Sequence, residues 1–133
     1  MSDNLKALII YRLEQANDAL HASDMLLKEQ LWRDSVNRAY YAAFYTVLAL
    51  LVMKGLGTSK HSGAIALFDR EFVKTGVFTK ELSRILHDSF DMRQEADYEE
   101  LTSIGEEEAI EAVALSREFV SKVSGYMHGQ LNF

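Results

Sequence analysis

Between Arg38 and Lys54 the chain carries no charged side chain, and of the fifteen residues in that gap only Thr46 is neither apolar nor aromatic. A helix that is hydrophobic around its whole circumference must be buried on every side. Fifteen residues rise only ~22 Å as a helix, short of the ~20 residues that span a bilayer. The stretch therefore reads as the central helix of a soluble bundle, with no membrane as partner. Its first two turns, Asn37-Arg38-Ala39-Tyr40-Tyr41-Ala42-Ala43-Phe44-Tyr45, are too polar for plain core filling. Arg38, Tyr41 and Tyr45 stand at i, i+3, i+7, which sets a polar strip along one side of the rod.

A central rod needs surrounding helices, and 133 residues supply them as one domain with a core large enough to need no staples. Proline is absent, which removes the commonest helix breaker. Cysteine is absent too, which excludes disulfides and thiolate chemistry and suits the inside of a cell. The N-terminus, MSDNLKALIIYRLEQ, shows amphipathic spacing and early acids rather than a basic region before an apolar run. No signal or transit peptide is visible, and a cytoplasmic location is the expectation. A net charge of −6 argues against coating nucleic acid without regard to sequence, which takes a basic surface. It leaves room for a local basic site.

In chain order, Leu5, Ile9, Leu13, Ala16, Leu20, Ser23 and Leu27 alternate steps of three and four, predicting an amphipathic helix over residues 3–29. Asp34 or Ser35 is the expected cap of the central helix, and Gly55 and Gly57 its stop. Thr58 or Ser59 opens a third helix to about Val73, with Ile65, Leu67, Phe68 and Phe72 inward. After the turn Lys74-Thr75-Gly76, Thr79 caps a fourth helix with Leu82, Ile85, Leu86 and Phe90 on one face. Ser103-Ile104-Gly105-Glu106 reads as a capping box for a last helix, which runs to about Tyr126 before a tail loosened by Gly125 and Gly129. Ala109, Ala112, Val113, Phe119, Val120 and Val123 form its inner face. No strand-like alternation survives beside these patterns. The fold class is all-α: an up-and-down antiparallel bundle of about five helices.

Arg93 falls near the middle of the apolar face of the fourth helix, with Asp97 one turn on and Tyr98 beside it. An inward arginine is costly unless paired, so it either clasps Asp97 at the helix end or lines a cleft. His61, in Ser59-Lys60-His61-Ser62-Gly63, is a candidate acid, base or phosphate donor; the plainer alternative is an exposed first-turn histidine. His87 lies off the apolar face, His128 in the tail, and neither attracts a role. Asp18 and His21 are a single Asp-x-x-His, short of the two Glu-x-x-His motifs and further carboxylates of a di-iron bundle. Zinc-ligand spacing, a P-loop and a GxGxxG motif are all missing, so no metal and no cofactor is expected.

Four segments in order carry a resemblance: Asn37-Arg38-Ala39-Tyr40-Tyr41-Ala42-Ala43-Phe44, Lys60-His61-Ser62-Gly63, Phe72-Val73-Lys74-Thr75-Gly76 and Met92-Arg93-Gln94-Glu95-Ala96-Asp97-Tyr98. Over roughly residues 5–125 the chain resembles the HEPN family, in its small prokaryotic branch. That resemblance implies a bundle that forms a homodimer and a partnership with a minimal nucleotidyltransferase, often as a toxin–antitoxin pair. Active toxins of the family are metal-independent ribonucleases using Arg-x4-6-His, one motif from each protomer. Here the positions where that histidine should follow Arg93 are Tyr98, Glu99 and Glu100. Tyrosine, with a pKa near ~10, is a poor base at neutral pH, and Asp97 only accepts.

Two functions follow from the resemblance. One is a toxin-like component that binds or cleaves RNA, with Arg93 on phosphate, Asp97 orienting it, and Tyr98 or His61 assisting. The other is a non-catalytic module that binds a nucleotide or a nucleotidyltransferase, with Arg38, Tyr41 and Arg93 as the recognition set. In a simple up-and-down count the second and fourth helices run parallel, which places Arg38 and Arg93 at opposite ends; either the short third helix breaks that count, or the dimer brings the two together, or they are unrelated.

Overall fold

The computed structural model describes residues 1–97 and 104–132. Among the described residues are five α-helices: α1 (Asp3–Lys28), α2 (Trp32–Met53), α3 (His61–Phe68), α4 (Lys80–Asp97) and α5 (Glu106–Leu131). A π-helical turn, Asp69–Val73, continues α3. No strand occurs among the described residues. The chain is an all-α bundle.

The apolar circumference of α2 is buried as expected, against α1, α4, α5 and α3. At 22 residues it is longer than its charge-free stretch, and by length and composition alone it would cross a bilayer. Its burial inside the bundle accounts for that composition. Small residues let the neighbours approach closely. Ser23 Oγ donates to the Ser35 carbonyl at 2.8 Å and Ser35 Oγ donates to the Ser23 carbonyl at 2.9 Å, a reciprocal pair joining α1 to α2. On the α5 side, Ser116 Oγ donates to the Ala39 carbonyl at 2.6 Å. Ser35 is thus a buried helix-packing residue and not a cap. The helix starts earlier, at Trp32, and its cap position, Leu31, has no side chain to offer the orphan N–H groups.

Residue pairings give the helix directions. Ser23 meets Ser35, and Ala16 and Leu20 cluster with Ala42, so α1 runs antiparallel to α2. Ala109 and Ala112 cluster with Val36, and Val120 with Ala42, so α5 runs parallel to α2. Arg93 near the end of α4 reaches Tyr41 near the start of α2, so these two are antiparallel. This corrects the parallel count. The α3 segment is only eight residues long and does not complete a pass along the bundle, so the chain re-enters through α4 in the opposite sense.

The helix ends follow local chemistry only in part. Thr79 Oγ1 accepts from the Leu82 N–H at 3.2 Å, capping α4. Gly55, at φ 76°, closes α2 in the left-handed conformation, and the Leu56 N–H reaches back to the Leu51 carbonyl at 2.8 Å. For α3 the start is His61, after a cap position at Lys60 with no side-chain bond; Thr58 Oγ1 accepts instead from the Lys60 N–H. The cap of α5 is Gly105, whose N–H donates to Glu108 Oε1 at 2.8 Å, two residues beyond the expected Ser103 box; Ser103 lies outside the described residues. Gly125 and Gly129 do not loosen a tail, because α5 continues through both to Leu131, held by the buried Met127.

The α1–α2 corner uses a residue ill-suited to it. Gln30 sits at φ 62°, and the Leu31 N–H bonds the Leu26 carbonyl at 2.9 Å. This is the closing position at which glycine is favoured, because a Cβ is strained there. Gln30→Gly should therefore stabilise the fold by roughly 0.5–1 kcal/mol, the strain relieved exceeding the added freedom of the unfolded chain. An unchanged or lower urea midpoint would count against that account.

Candidate functional site

Tyr40 and Tyr41 are adjacent on α2 and so point to different sides of it. Tyr40 is fully buried, while Tyr41 is half-buried at the rim. Arg93 comes from α4 to cover both, its guanidinium carbon 5.5 Å from the centre of each ring. Its Nη2 donates to the Tyr41 hydroxyl at 3.1 Å. Arg38 also lies over the Tyr41 ring, at 4.7 Å. Tyr41 is therefore in contact with two cations, and the two arginines that sequence counting put at opposite ends belong to one site. Such contacts stabilise by about 0.5–2 kcal/mol each, more as water is excluded.

Arg93 is turned inward, with 22% of its side chain exposed. Its partner Asp97 stands 3.4 Å from Nε, within ion-pair range. Nε nevertheless has no hydrogen bond among the described residues, because the N–H is not aimed at the carboxylate oxygen. The helix-end clasp exists, then, but it satisfies arginine poorly. A guanidinium is a donor set suited to a phosphate oxygen. Beside it opens a hollow of about 180 Å³ lined by Arg33, Asp34, Asn37, Ala96 and Asp97.

His61 joins the same cluster from the first turn of α3. Its ring stacks on Phe44, with centroids 4.0 Å apart and planes at 15°, and lies 5.7 Å from Tyr40. Nδ1 is 2.8 Å from the Tyr40 hydroxyl. Folding therefore does bring His61 to the Arg93 site, in place of the exposed-histidine alternative. Gly63 contributes to this placement, since a Cβ there would meet Thr58 Oγ1 at 2.8 Å.

Burial and, secondarily, the Arg93 charge hold the His61 imidazole below its ordinary value. Burial pushes the Tyr40 phenol well up; Arg93 opposes that push and Tyr41 adds to it. Tyr40 therefore keeps its proton. A buried hydroxyl needs an acceptor, and Nδ1 is the one within reach. With Tyr40 donating to Nδ1, the remaining proton of neutral His61 sits on Nε2, which becomes a donor.

Of the residues predicted from sequence, Arg93, Asp97, Tyr41, Arg38 and His61 converge here. Tyr98 lies outside the described residues. Sequence reasoning misses Tyr40 as the link between Arg93 and His61; its place in the Tyr-Tyr pair is the available signal. It also misses a cluster on the π-helical turn, where Asp69 accepts from Ser83 Oγ at 2.6 Å and pairs with His87 Nε2 at 2.6 Å. His87 lies off the apolar face of α4, yet it ties α4 to that turn. Among the described residues no group of acidic and histidine side chains is arranged to hold a metal.

The fold and sequence have known counterparts. The HEPN domain model matches residues 9–126. A "UPF0332 protein" from Thermotoga maritima is 41% identical over 90% of this chain and 86% of its own length. Two proteins of Methanocaldococcus jannaschii, "Putative toxin MJ0142" and "Putative toxin MJ0605", are 35% and 37% identical, covering 86% and 91% of this chain and 78% and 87% of theirs. The crystal structure of TT1696 from Thermus thermophilus superposes with a TM-score of 0.76 over 88% of this chain and 96% of that one, at 18% identity, a likeness of fold. With the family model covering most of the sequence and relatives of 35–41% identity matched over more than two thirds of their own length, this chain belongs to the HEPN family.

Proposed function

We propose that this protein is a toxin-like HEPN component that binds single-stranded RNA, gripping a backbone phosphate between Arg93 and the Nε2–H of His61. The observation that carries this is the convergence of a poorly satisfied, inward arginine and a neutral histidine on one aromatic platform, Tyr40–Tyr41–Phe44. Relatives named as toxins support the biological role. The family resemblance adds a second copy of this chain and a small nucleotidyltransferase as partners. Asp97 sets the orientation of Arg93 and does not touch the phosphate.

Cleavage is the second reading, and the Tyr40–His61 hydrogen bond weighs against it. RNA cleavage by the 2′-hydroxyl requires a base to take its proton and an acid to protonate the 5′-oxygen as its bond to phosphorus breaks. While Tyr40 donates to Nδ1, Nε2 has no lone pair to act as that base. In buffer with a chelator, labelled single-stranded RNA should therefore bind and stay intact. Arg93→Ala should weaken binding roughly 10- to 100-fold, the scale of a lost charged hydrogen bond of about 1.5–3 kcal/mol. Rapid cleavage that survives Arg93→Ala would refute the site.

The histidine supplies an independent check. An NMR titration should place His61 below 6.5, and Arg93→Ala should raise it by removing the nearby charge. Because the folded state disfavours the imidazolium, the unfolded chain binds more protons between the folded value and 6.5. This contribution to stability is present above pH 6.5 and is lost as pH falls through the folded value. A His61 signal that titrates alike in both proteins would separate the two residues.

The partner copy is tested by size. At micromolar concentration, sedimentation should give twice the 15.1 kDa of one chain; monomer alone removes the second copy from the proposal.

A further inference from the structure

The aromatic platform continues beyond Tyr41. The ring of Tyr45, one turn along α2, lies 5.8 Å from that of Tyr41. Tyr45 lines an open groove of about 450 Å³ between α1 and α2, and Tyr11 of α1, 53% exposed, lines it too. That volume is in the range of small-molecule sites, ~300–1,000 Å³. Arg38 belongs to both places, because it lies on Tyr41 and lines the groove. Among the described residues its hydrogen bonds go to the neutral amide of Asn37, at 3.2 and 3.0 Å, so its charge stays available to an anion.

The α1 side of the groove carries a specific polar edge. Arg12 Nη1 donates to Gln15 Oε1 at 2.8 Å. Arginine only donates, so this bond fixes the amide oxygen toward Arg12 and leaves the Gln15 NH₂ as a donor. Asp18 lines the groove one turn later, and its carboxylate only accepts. A donor beside a double acceptor, three residues apart on one helix face, matches the guanine edge: a carbonyl next to two N–H donors. Adenine and cytosine offer that carboxylate one donor group, and uracil one ring N–H. Ala19 and Ala22 keep the neighbouring surface low enough for a flat ring.

We infer that the α1–α2 groove is a nucleobase subsite, holding a guanine of single-stranded RNA next to the phosphate bound at Arg93. Tyr11 and Tyr45 supply aromatic surface, Gln15 donates to the base carbonyl, Asp18 accepts from its ring N–H and amino group, and Arg38 holds the connecting phosphate. This rests on the proposed binding of RNA at Arg93.

The test uses the full chain and three probes: inorganic phosphate followed by NMR, and two labelled hexaribonucleotides, UUGUUU and UUAUUU, followed by anisotropy. UUGUUU should bind about tenfold more tightly than UUAUUU. Asp18→Asn should bring that ratio close to one, whatever it does to overall affinity. Tyr11→Ala, a change at an exposed helix position, should weaken UUGUUU about tenfold, as loss of one base-stacking contact does. Neither variant should alter the phosphate-induced shifts at His61, which Arg93→Ala should abolish. Equal affinity for the two hexamers, or wild-type binding by Tyr11→Ala and Asp18→Asn, overturns the subsite while leaving the Arg93 site intact. If neither phosphate nor either hexamer binds, both proposals fall.

Discussion

Everything in this fold depends on hiding α2. A helix apolar on all sides gains about 25 cal/mol for each Å² of apolar surface removed from water, provided neighbours cover every face. Small residues make that cover tight: Ser35, Ala39, Ala42, Ala43, Thr46 and Ala49 are all buried. The hydroxyls among them do not stay unsatisfied, since Thr46 Oγ1 bonds the Ala42 carbonyl at 2.9 Å and Ser35 bonds across to α1. The result is a rigid rod whose first turns carry the aromatic platform. Tyr40 can be buried completely because His61 answers its hydroxyl.

That rigidity fixes the electrostatics of the site. Arg93 is held over two tyrosine rings rather than neutralised by a well-aligned carboxylate. A buried donor without a partner costs about 1–3 kcal/mol, and the aromatic contacts offset part of it. Burial holds the His61 imidazole below its ordinary value, and the same Arg93 charge adds to that push. Tyr40 then determines which imidazole nitrogen carries the proton. Donating to a phosphate and taking a proton make opposite demands on that nitrogen, and a protonated Nε2 can only donate.

Element identity is legible in the sequence because the periodicity is strong and the breakers are few. The inward face of α4, the buried face of α5 and the Thr79 cap all follow from spacing and residue type. Three helix starts, those of α2, α3 and α5, differ from expectation for one reason: serine, threonine and aspartate near a helix start look like caps. Ser35 is instead recruited by tertiary packing, and Leu31 and Lys60 hold cap positions without side-chain bonds. The site is half legible. An arginine on an apolar face announces itself, as Arg93 does. Its closeness to Arg38 depends on whether the α3 segment counts as a full pass. The Tyr40–His61 bond joins α2 to α3 across 21 residues, and no linear pattern encodes it. The role of His87 is hidden because its acceptor, Asp69, sits on a π-helical turn that the spacing does not reveal.

The net charge of −6 constrains how such a site can work. An acidic protein gains little from long-range attraction to RNA, so recognition has to come from short-range contacts inside the site. Two arginines on phosphate release few counterions, and for single strands the slope of log affinity against log salt is about −0.7 per contact. The proposed binding through Arg93 and Arg38 would thus be modest and only weakly salt-dependent, with stacking supplying a large share of the free energy. Aromatic density fits that division. Six rings, from His61 through Phe44, Tyr40, Tyr41 and Tyr45 to Tyr11, border two cations and the groove beside them. If the proposed RNA binding holds, a surface built this way would discriminate by the shape and edge of a base rather than by charge.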